Sequence, residues 1–392
     1  LPALAHDECL AGFAAWGATA YPVPLCWAAT FEPGLVERMG RQIGADMRAV
    51  GVHQGLAPVM DVVRDLRWGR VEETMGEDPF LVATTGTAYV RGMESAGIVA
   101  TLKHFAGYSA SKGARNLGPV TVGPREFADV ILPPFEMAVR EGKPRSVMNS
   151  YSDVDNQPAA SNRELLTGLL REQCGFNGIV VADYYAVAFL HQLHRVAAHP
   201  AQSAHLALTA GIDVELPNVD AYGEPLLEAV RAGEVDEELI NTALRRVLTL
   251  KGELGLLDGD WEAVPAALTG AGASEEVLAT DPEDVRGSVS LDTYEGREIA
   301  RQIAEKSVIL LSNDGVLPLT VDGQAAPKRV AVIGPAADFE FAVLGCYSFP
   351  AHIGVQYPGT PTGIRIATLL ESLREEFPGA QITHVPGTTL DG

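Results

Sequence analysis

The chain has 392 residues, of which 47% are hydrophobic, and it carries a formal net charge of -22. Because a single hydrophobic core stops growing at about 250 to 300 residues, this length predicts two domains. The negative charge repels phosphate backbones and anionic lipid head groups. It therefore excludes nucleic acid and membrane surfaces as favourable partners, and it is compatible with a neutral ligand such as a sugar.

The four cysteines do not have the pattern of a metal site or of a disulfide framework. Cys9, Cys26, Cys174 and Cys346 are far apart and form no CxxC pair. We therefore expect neither a metal nor another cofactor, and a reducing, cytoplasmic compartment. No apolar run reaches the ~18 residues of a membrane span. Because the chain starts without Met in an apolar stretch and stops after a strand-like run, we expect both ends to be cut, with secretion through a lost leader as the alternative.

The first 250 residues or so alternate short apolar runs with helical patterns, which is typical of βα units and a parallel sheet. The predicted strands lie at residues 2–6, 55–60, 98–104, 146–150, 179–183 and 212–216. This number of units favours a (β/α)8 TIM-like barrel over a small open sheet. A doubly wound sheet is the alternative, but the glycine-rich phosphate loop expected after its first strand is absent.

A change of composition predicts where the barrel ends. Residues 258–298 carry eleven acidic residues against two arginines and show little periodicity. We therefore predict a barrel domain over 1–257, an acidic linker over 258–296, and the N-terminal part of a truncated α/β sandwich domain over 297–392. The elements predicted in this last part are helices at 297–306 and 364–377 and strands at 308–312, 329–334 and 381–385.

Polar residues end or follow five of the predicted strands at their carboxyl ends, where a parallel barrel has its active site. The runs at 2–6, 55–60, 98–102, 146–148 and 179–182 lead respectively into Asp7 and Glu8, into Asp61, into Lys103 and His104, into 149–151, and into Asp183. The cations among these residues, together with Arg70, would hold Asp183 ionised as a nucleophile and donate to sugar hydroxyls. Ordinary ion pairing and a satisfied core histidine are the alternative explanation for these residues.

Four runs of the sequence together resemble glycoside hydrolase family 3 in order and spacing. They are DVVRDLRWGRVEETMGEDP at 61–79, TLKHFAG at 101–107, SVMNSYS at 146–152 and GIVVADY at 178–184. EKSVILLSNDGVLPL at 305–319 and VAVIGP at 330–335 extend the resemblance into the second domain. The resemblance implies a TIM-like barrel followed by an α/β sandwich. It also implies a retaining exo-β-glycosidase that releases terminal non-reducing β-D-xylosyl or β-D-glucosyl residues from oligosaccharides or small glycosides.

The resemblance also assigns residues. It implies that Asp183 is the nucleophile and that the substrate-binding residues are Glu8, Arg70, Lys103, His104, Met148, Tyr151 and Tyr184. Glu8 stands where the glucosidase branch usually has aspartate; the longer side chain would crowd the C5 hydroxymethyl group and so favours xylose. Tyr184 stands where many relatives have tryptophan. The resemblance places the general acid in a part of the second domain that we expect beyond residue 392, and the histidine acid of the N-acetylhexosaminidase branch is missing from KHFAGYSAS at 103–111.

Two other functions remain as alternatives. A carbohydrate-binding protein would keep the sugar site without turnover. A metal-dependent barrel enzyme would use His53, His104 and the carboxylates, although no HxH or HExxH spacing supports it. His191 and His194, which follow Asp183, are predicted to have structural roles.

Overall fold

The computed structural model describes residues 1–280, 285–321, 323 and 326–389. The strands are β1 His6–Asp7, β2 Gln54–Gly55, β3 Val99–Phe105, β4 Ser146–Asn149, β5 Asp153–Val154, β6 Gln157–Pro158, β7 Ile179–Val181, β8 Arg329–Ile333 and β9 Gln381–Val385. The α-helices are α1 Pro24–Ala29, α2 Pro33–Ala49, α3 Pro79–Ser95, α4 Pro124–Glu126, α5 Pro133–Met137, α6 Ala186–Gln192, α7 Pro200–Ala210, α8 Glu224–Arg231, α9 Glu237–Glu253, α10 Ala266–Gly270, α11 Glu275–Thr280, α12 Tyr294–Lys306 and α13 Leu369–Glu376. Wider π-helical turns occupy Phe127–Ile131, Ala138–Gly142, Glu164–Gln173 and Pro350–Gly354.

The central element is a curled parallel sheet. In the described ranges its strands lie in the order β1, β2, β3, β4 and β7, and each pairs with its neighbour in parallel. Val181 also bridges Val214 in parallel, so the strand predicted at 212–216 contributes one bridge. Strand order follows chain order with helical segments between the strands, as expected for βα units. The α/β class and the parallel sheet are therefore confirmed.

The strand predicted at 55–60 is shorter than expected. Its ladder covers only Gln54–Gly55, and Val59 rejoins the sheet through a single bridge to Lys103. Pro58 has no N–H to donate, so a continuous ladder cannot run through it. The strand predicted at 2–6 likewise pairs only at His6–Asp7.

Helices α2 and α3 pack closely on the outside of the sheet. A Cβ on Gly40 would lie 2.7 Å from the carbonyl oxygen of Tyr89, and one on Gly92 would lie 2.3 Å from that of Glu37. Glycine is therefore needed at both positions for this close approach. The apolar stripe of α2 lies in the main core with sheet residues such as Leu102 and Val180.

Helix α12 packs against α1 and α2 rather than against the strands that follow it. Ile299 and Ile303 are buried in the same core as α2, and Lys306 Nζ lies 2.5 Å from Glu32 Oε1. The helix begins at Tyr294, three residues before the predicted start, because the Thr293 hydroxyl caps it by accepting from the N–H of Gly296. It therefore belongs to the same packed unit as α2.

The second region, which is the part of the chain after α12, contains a small parallel pair, β8 and β9, with α13 against it. Val332 and Leu370 form its core with Ala337. The strand predicted at 308–312 is wrong: these residues pair with no other strand in the described part of the chain, and Leu311 is 92% exposed. A strand needs a hydrogen-bonding neighbour, which local sequence preference cannot supply. The predicted helix at 364–377 is also shorter, since α13 starts at the Thr368 capping box.

A membrane crossing would need a helix longer and more apolar than any that the structure describes.

Candidate active site

A cavity of about 120 Å³ lies at the carboxyl ends of β1, β3, β4 and β7. Parallel strands end at one edge of their sheet, so the residues that follow them come together there. The cavity is lined by Glu8, Leu56, Arg70, Lys103, His104, Met148, Tyr151, Asp183, Tyr184, Tyr347 and His352. The structure thus places all eight residues predicted from the sequence around one space and adds three others.

Asp183 follows β7 and presents a carboxylate oxygen without a protein partner. The backbone N–H of Tyr184 donates to Oδ1 at 2.8 Å, whereas Oδ2 is buried and receives no hydrogen bond within the described residues. Burial raises the pKa of Asp183 to about 6, and the positive charges of Arg70 and Lys103 reduce that increase. The carboxylate is therefore mostly ionised at neutral pH, with one oxygen free to contact a ligand.

Lys103 is a cation buried to 2% exposure at the carboxyl end of β3. Its Nζ lies 3.2 Å from Glu8 Oε2 and 4.8 Å from the ring centre of Tyr347. Burial acts to lower the pKa of Lys103, but Glu8 and Tyr347 hold it above its ordinary value. The amine therefore stays charged and has donors left for hydroxyl groups of a ligand.

Arg70 is held by a two-point ion pair. Its Nε and Nη2 donate to Glu73 Oε1 and Oε2, each at 2.7 Å, and Nη2 also donates to the Tyr347 hydroxyl at 3.1 Å. The guanidinium lies over the ring of Tyr108, 5.4 Å from its centre. Glu73 binds the Nε and Nη2 side of the guanidinium. The remaining N–H donors of Arg70 are therefore available to a ligand in the cavity that Arg70 lines.

His104 connects a second buried carboxylate to the cavity. Its Nδ1 lies 2.8 Å from Asp61 Oδ2, and its Nε2 lies 3.8 Å from Asp183 Oδ2. Burial, followed by the charges of Arg70 and Lys103, holds the pKa of His104 well below its ordinary value. The imidazole is therefore neutral.

Aromatic side chains form one wall of the site. The Tyr151 hydroxyl donates to the carbonyl oxygen of Tyr184 at 2.8 Å, and the Tyr184 hydroxyl lies 3.2 Å from His6 Nε2. Met148 projects from β4 beside them. Burial raises the pKa of Tyr184 to about 12, so this phenol stays neutral. The wall offers flat apolar surfaces with polar edges, which suit a sugar ring.

The histidines after Asp183 lie outside this cavity and make structural contacts. His191 Nδ1 lies 3.0 Å from the Ser203 hydroxyl, and His194 Nε2 lies 3.1 Å from the carbonyl oxygen of Tyr151. His194 thus supports the backbone of an aromatic wall residue. His191 lies on α6, and His194 lies in the loop that follows it.

The ligands suggested for a metal enzyme do not converge. His53 Nδ1 accepts from the backbone N–H of Ala5 at 3.1 Å, on the opposite side of β2 from the cavity end, while His104 contacts Asp61. Across residues 1–280, 285–321, 323 and 326–389, no three His, Cys, Asp or Glu side chains are arranged to hold a metal ion.

Sequence reasoning missed two cavity residues from the second region. Tyr347 and His352 stack with their ring centres 4.8 Å apart, and Tyr347 contacts both Arg70 and Lys103. The Cys346 N–H donates to Glu72 Oε1 at 2.8 Å, which links this segment to the loop that carries Arg70. No strand-end pattern marks these residues, so tertiary packing alone identifies them.

Comparison with known proteins gives one family. The profile described as "Glycosyl hydrolase family 3 N terminal domain" matches residues 1–250. A "Beta-xylosidase" of Formosa agariphila is 34% identical over 415 residues, covering 100% of this chain and 53% of the relative. A "Beta-glucosidase" of Rhizobium radiobacter is 33% identical over 349 residues, covering 88% of this chain and 37% of the relative. The chain spans about half the length of the curated relatives it matches, or less.

Solved structures agree with this comparison. A β-glucosidase of Erythrobacter marinus superimposes with a TM-score of 0.83 at 32% identity, covering 99% of this chain and 48% of the other. A family 3 exo-β-xylosidase in complex with a xylobiose aziridine activity-based probe superimposes with a TM-score of 0.80 at 26% identity, covering 98% of this chain and 48% of the other.

Proposed function

Because this chain belongs to glycoside hydrolase family 3, we propose that it acts as a retaining exo-β-glycosidase with Asp183 as the nucleophile. The terminal sugar enters the cavity at the strand ends, and Asp183 attacks its anomeric carbon while the glycosidic C–O bond breaks. The leaving oxygen takes a proton from the general acid that the resemblance places in the second domain, and water then hydrolyses the glycosyl-enzyme. We also propose that the curled sheet corresponds to the (β/α)8 barrel of the resemblance. The substrates are short oligosaccharides or small glycosides.

The observation that carries the proposal is the state of Asp183. Its buried Oδ2 has no hydrogen-bond donor within the described residues, yet Arg70 and Lys103 lie close enough to favour its charged form. An unpartnered buried carboxylate is costly and persists where a ligand uses it. Arg70, Lys103 and Glu8 surround it with the donors and acceptors that sugar hydroxyls need.

The proposed preference is for xylosyl over glucosyl residues. Glu8 reaches Lys103 at 3.2 Å, and the Tyr184 hydroxyl reaches His6 at 3.2 Å, so both long side chains stand at the edge of a small cavity. A hydroxymethyl group on C5 needs space that these side chains occupy. We expect Glu8→Asp to raise the ratio of glucosyl to xylosyl reaction rates, measured with matched aryl glycosides; an unchanged ratio would remove Glu8 from the specificity argument.

The test of the nucleophile uses 2-deoxy-2-fluoro xylosyl and glucosyl donors with a dinitrophenyl leaving group. This leaving group departs with little help from an acid, so the reaction tests Asp183 by itself. We expect intact mass to show one stable adduct, peptide mapping to place it on Asp183, and Asp183→Asn to abolish it. The alternative is a carbohydrate-binding protein without turnover, which would bind xylose or glucose saturably and form no adduct.

We further propose a reducing, cytoplasmic location. All four cysteines are free thiols in the structure, and Cys9 and Cys174 are buried. Fractionation of the source cells against periplasmic and cytosolic markers tests this assignment, and recovery with the periplasmic marker would overturn it.

A further inference from the structure

We propose that Asp61 is a positioning residue that holds His104 in its Nδ1–H tautomer, so that Nε2 presents a lone pair to a sugar hydroxyl beside Asp183. The inference rests on the proposed function, because that function supplies the sugar. It concerns a side chain outside the cavity lining: Asp61 is 2% exposed and acts through His104.

One oxygen of Asp61 contacts His104 at two atoms. Asp61 Oδ2 accepts from the backbone N–H of His104 at 3.1 Å and lies 2.8 Å from Nδ1 of the same residue. A backbone amide can only donate, so Oδ2 must present a lone pair towards His104. A proton on Nδ1 satisfies the second contact without any change of geometry. The backbone and side chain of His104 are thereby clamped to a single carboxylate oxygen.

The groups around His104 favour a neutral ring in this tautomer. Arg70 and Lys103 are the cations that face it and oppose its protonation, and burial acts in the same direction. Its other titratable neighbours are the carboxyl groups of Asp61 and Asp183, and the ring of Tyr108 packs against it edge-on. Burial raises the pKa of Asp61 to about 7, an effect that the His104 N–H and Arg70 reduce. A neutral imidazole with its proton on Nδ1 has an acceptor at Nε2.

This tautomer has a consequence for the sugar site. Nε2 and Asp183 Oδ2, 3.8 Å apart, are then both acceptors, so the imidazole does not donate to the nucleophile. Lys103 and Arg70 can only donate hydrogen bonds, and a sugar hydroxyl that accepts one of them can still donate its own hydrogen. His104 Nε2 can accept that hydrogen bond. Lys103 would thus donate a hydrogen bond to a sugar hydroxyl, and the adjacent His104 would accept one from a sugar hydroxyl.

The first experiment measures the tautomer directly by ¹⁵N NMR of histidine-labelled protein, with His104→Gln used to assign the ring. We expect a protonated Nδ1 and an unprotonated Nε2 at neutral pH. A protonated Nε2, whether in the other tautomer or in the imidazolium, overturns the proposal. This measurement needs no activity, so it stands apart from the labelling of Asp183, which tests the proposed function.

The second experiment separates tautomer control from charge. In Asp61→Asn the amide oxygen is expected at the position of Oδ2, because the His104 backbone N–H requires an acceptor there; it can also accept from Nδ1. Asp61→Leu removes that acceptor. We expect the rate of adduct formation with the fluoro donors to fall at least tenfold in Asp61→Leu and to stay within about threefold of wild type in Asp61→Asn.

Equal losses in the two Asp61 variants would mean that charge, not tautomer, carries the effect, and would overturn the proposal. A circular dichroism melt of each variant reports folding separately. If Asp61→Leu does not fold, the NMR result and the Asp61→Asn rate still decide the question. If wild type forms no adduct but shows the expected tautomer, the proposed function fails while the arrangement of Asp61 and His104 stands.

Discussion

The rim of the parallel sheet and the segment at 308–311 distribute polarity in opposite ways. At the rim, Lys103 and Asp183 are charged and buried. In the segment, four apolar side chains in succession are exposed, and Leu311 reaches 92%. Buried charge is tolerated at the rim because Lys103 pairs with Glu8 and lies over the ring of Tyr347, and because the charges of Arg70 and Lys103 favour the ionised form of Asp183. Within the described residues, the apolar segment at 308–311 has no neighbouring strand with which to pair. Burial therefore depends on the available partners rather than on residue type.

The largest stability effect should come from breaking a buried ion pair at the rim. Glu73→Gln leaves Arg70 charged in a largely buried position with half of its two-point contact removed. We expect unfolding free energy to fall by about 3 to 5 kcal/mol, measured by urea denaturation. The matched control is Asp65→Asn, which removes the partner of the exposed Arg67 and should leave stability unchanged. Comparable losses in both variants would contradict the contrast drawn between buried and exposed pairs.

A second comparison deletes the same side chain in the two regions. Leu102 is fully buried in β3, whereas Leu311 is exposed. Leu102→Ala should cost about 2 to 5 kcal/mol of unfolding free energy through lost burial and a cavity. Leu311→Ala should change it by less than about 0.5 kcal/mol. A loss above about 1 kcal/mol for Leu311→Ala in urea denaturation would show that this segment packs against a partner.

Asp183, the proposed nucleophile, should lower the stability of the folded state above its pKa. Burial raises the pKa of Asp183 to about 6 from 3.8, so the native state favours the protonated form and loses stability as pH rises through about 6. Asp183→Asn should then be more stable than wild type by up to about 3 kcal/mol at pH 7.5, with the gain shrinking towards pH 4. Calorimetric Tm values across this pH range check it.

Two results would count against this expectation for Asp183. A gain in Tm that is independent of pH would mean that the ionised carboxylate is not its cause. The exposed carboxylate Asp258 provides the control, since Asp258→Asn should leave Tm unchanged.

The smallest effect concerns the contact between Tyr347 of the second region and Arg70 at the rim of the sheet. Tyr347→Phe removes the hydroxyl that accepts from Arg70 at 3.1 Å but keeps the ring near Lys103. We expect the rate of adduct formation at Asp183 to fall about two- to tenfold, as for the loss of one hydrogen bond. Tyr357→Phe, at a site 62% exposed, is the control and should react like wild type. Identical rates in both variants would mean that the second region does not act on the site.

Much of the site could be predicted because each strand ends at a recognisable place in the sequence. An apolar run followed by a polar residue marked Glu8, Lys103, His104 and Asp183, and the parallel sheet brings such ends together. Arg70 came from its motif instead, since it lies in a loop without strand periodicity. The strand at 381–385 was also predicted to the residue.

The failures share one physical reason, which is that they depend on partners distant in sequence. The run at 308–312 has strand-like composition but no neighbour to pair with, and Pro58 interrupts a ladder that hydrophobicity alone would continue. Tyr347 lies 277 residues from Arg70, and no local pattern connects the two.

The sequence by itself determined the alternation of strands and helices, the family and the polar ends of the strands, because apolar periodicity and short motifs are local properties. Tertiary structure alone decided which of those ends carry unpartnered groups, such as Asp183 Oδ2, and which are clamped, such as His104 on Asp61. It also decided that the second region supplies Tyr347 and His352 to the cavity. Hydrogen bonds and burial are set by groups that fold together from distant positions, and those distances exist only in the folded chain.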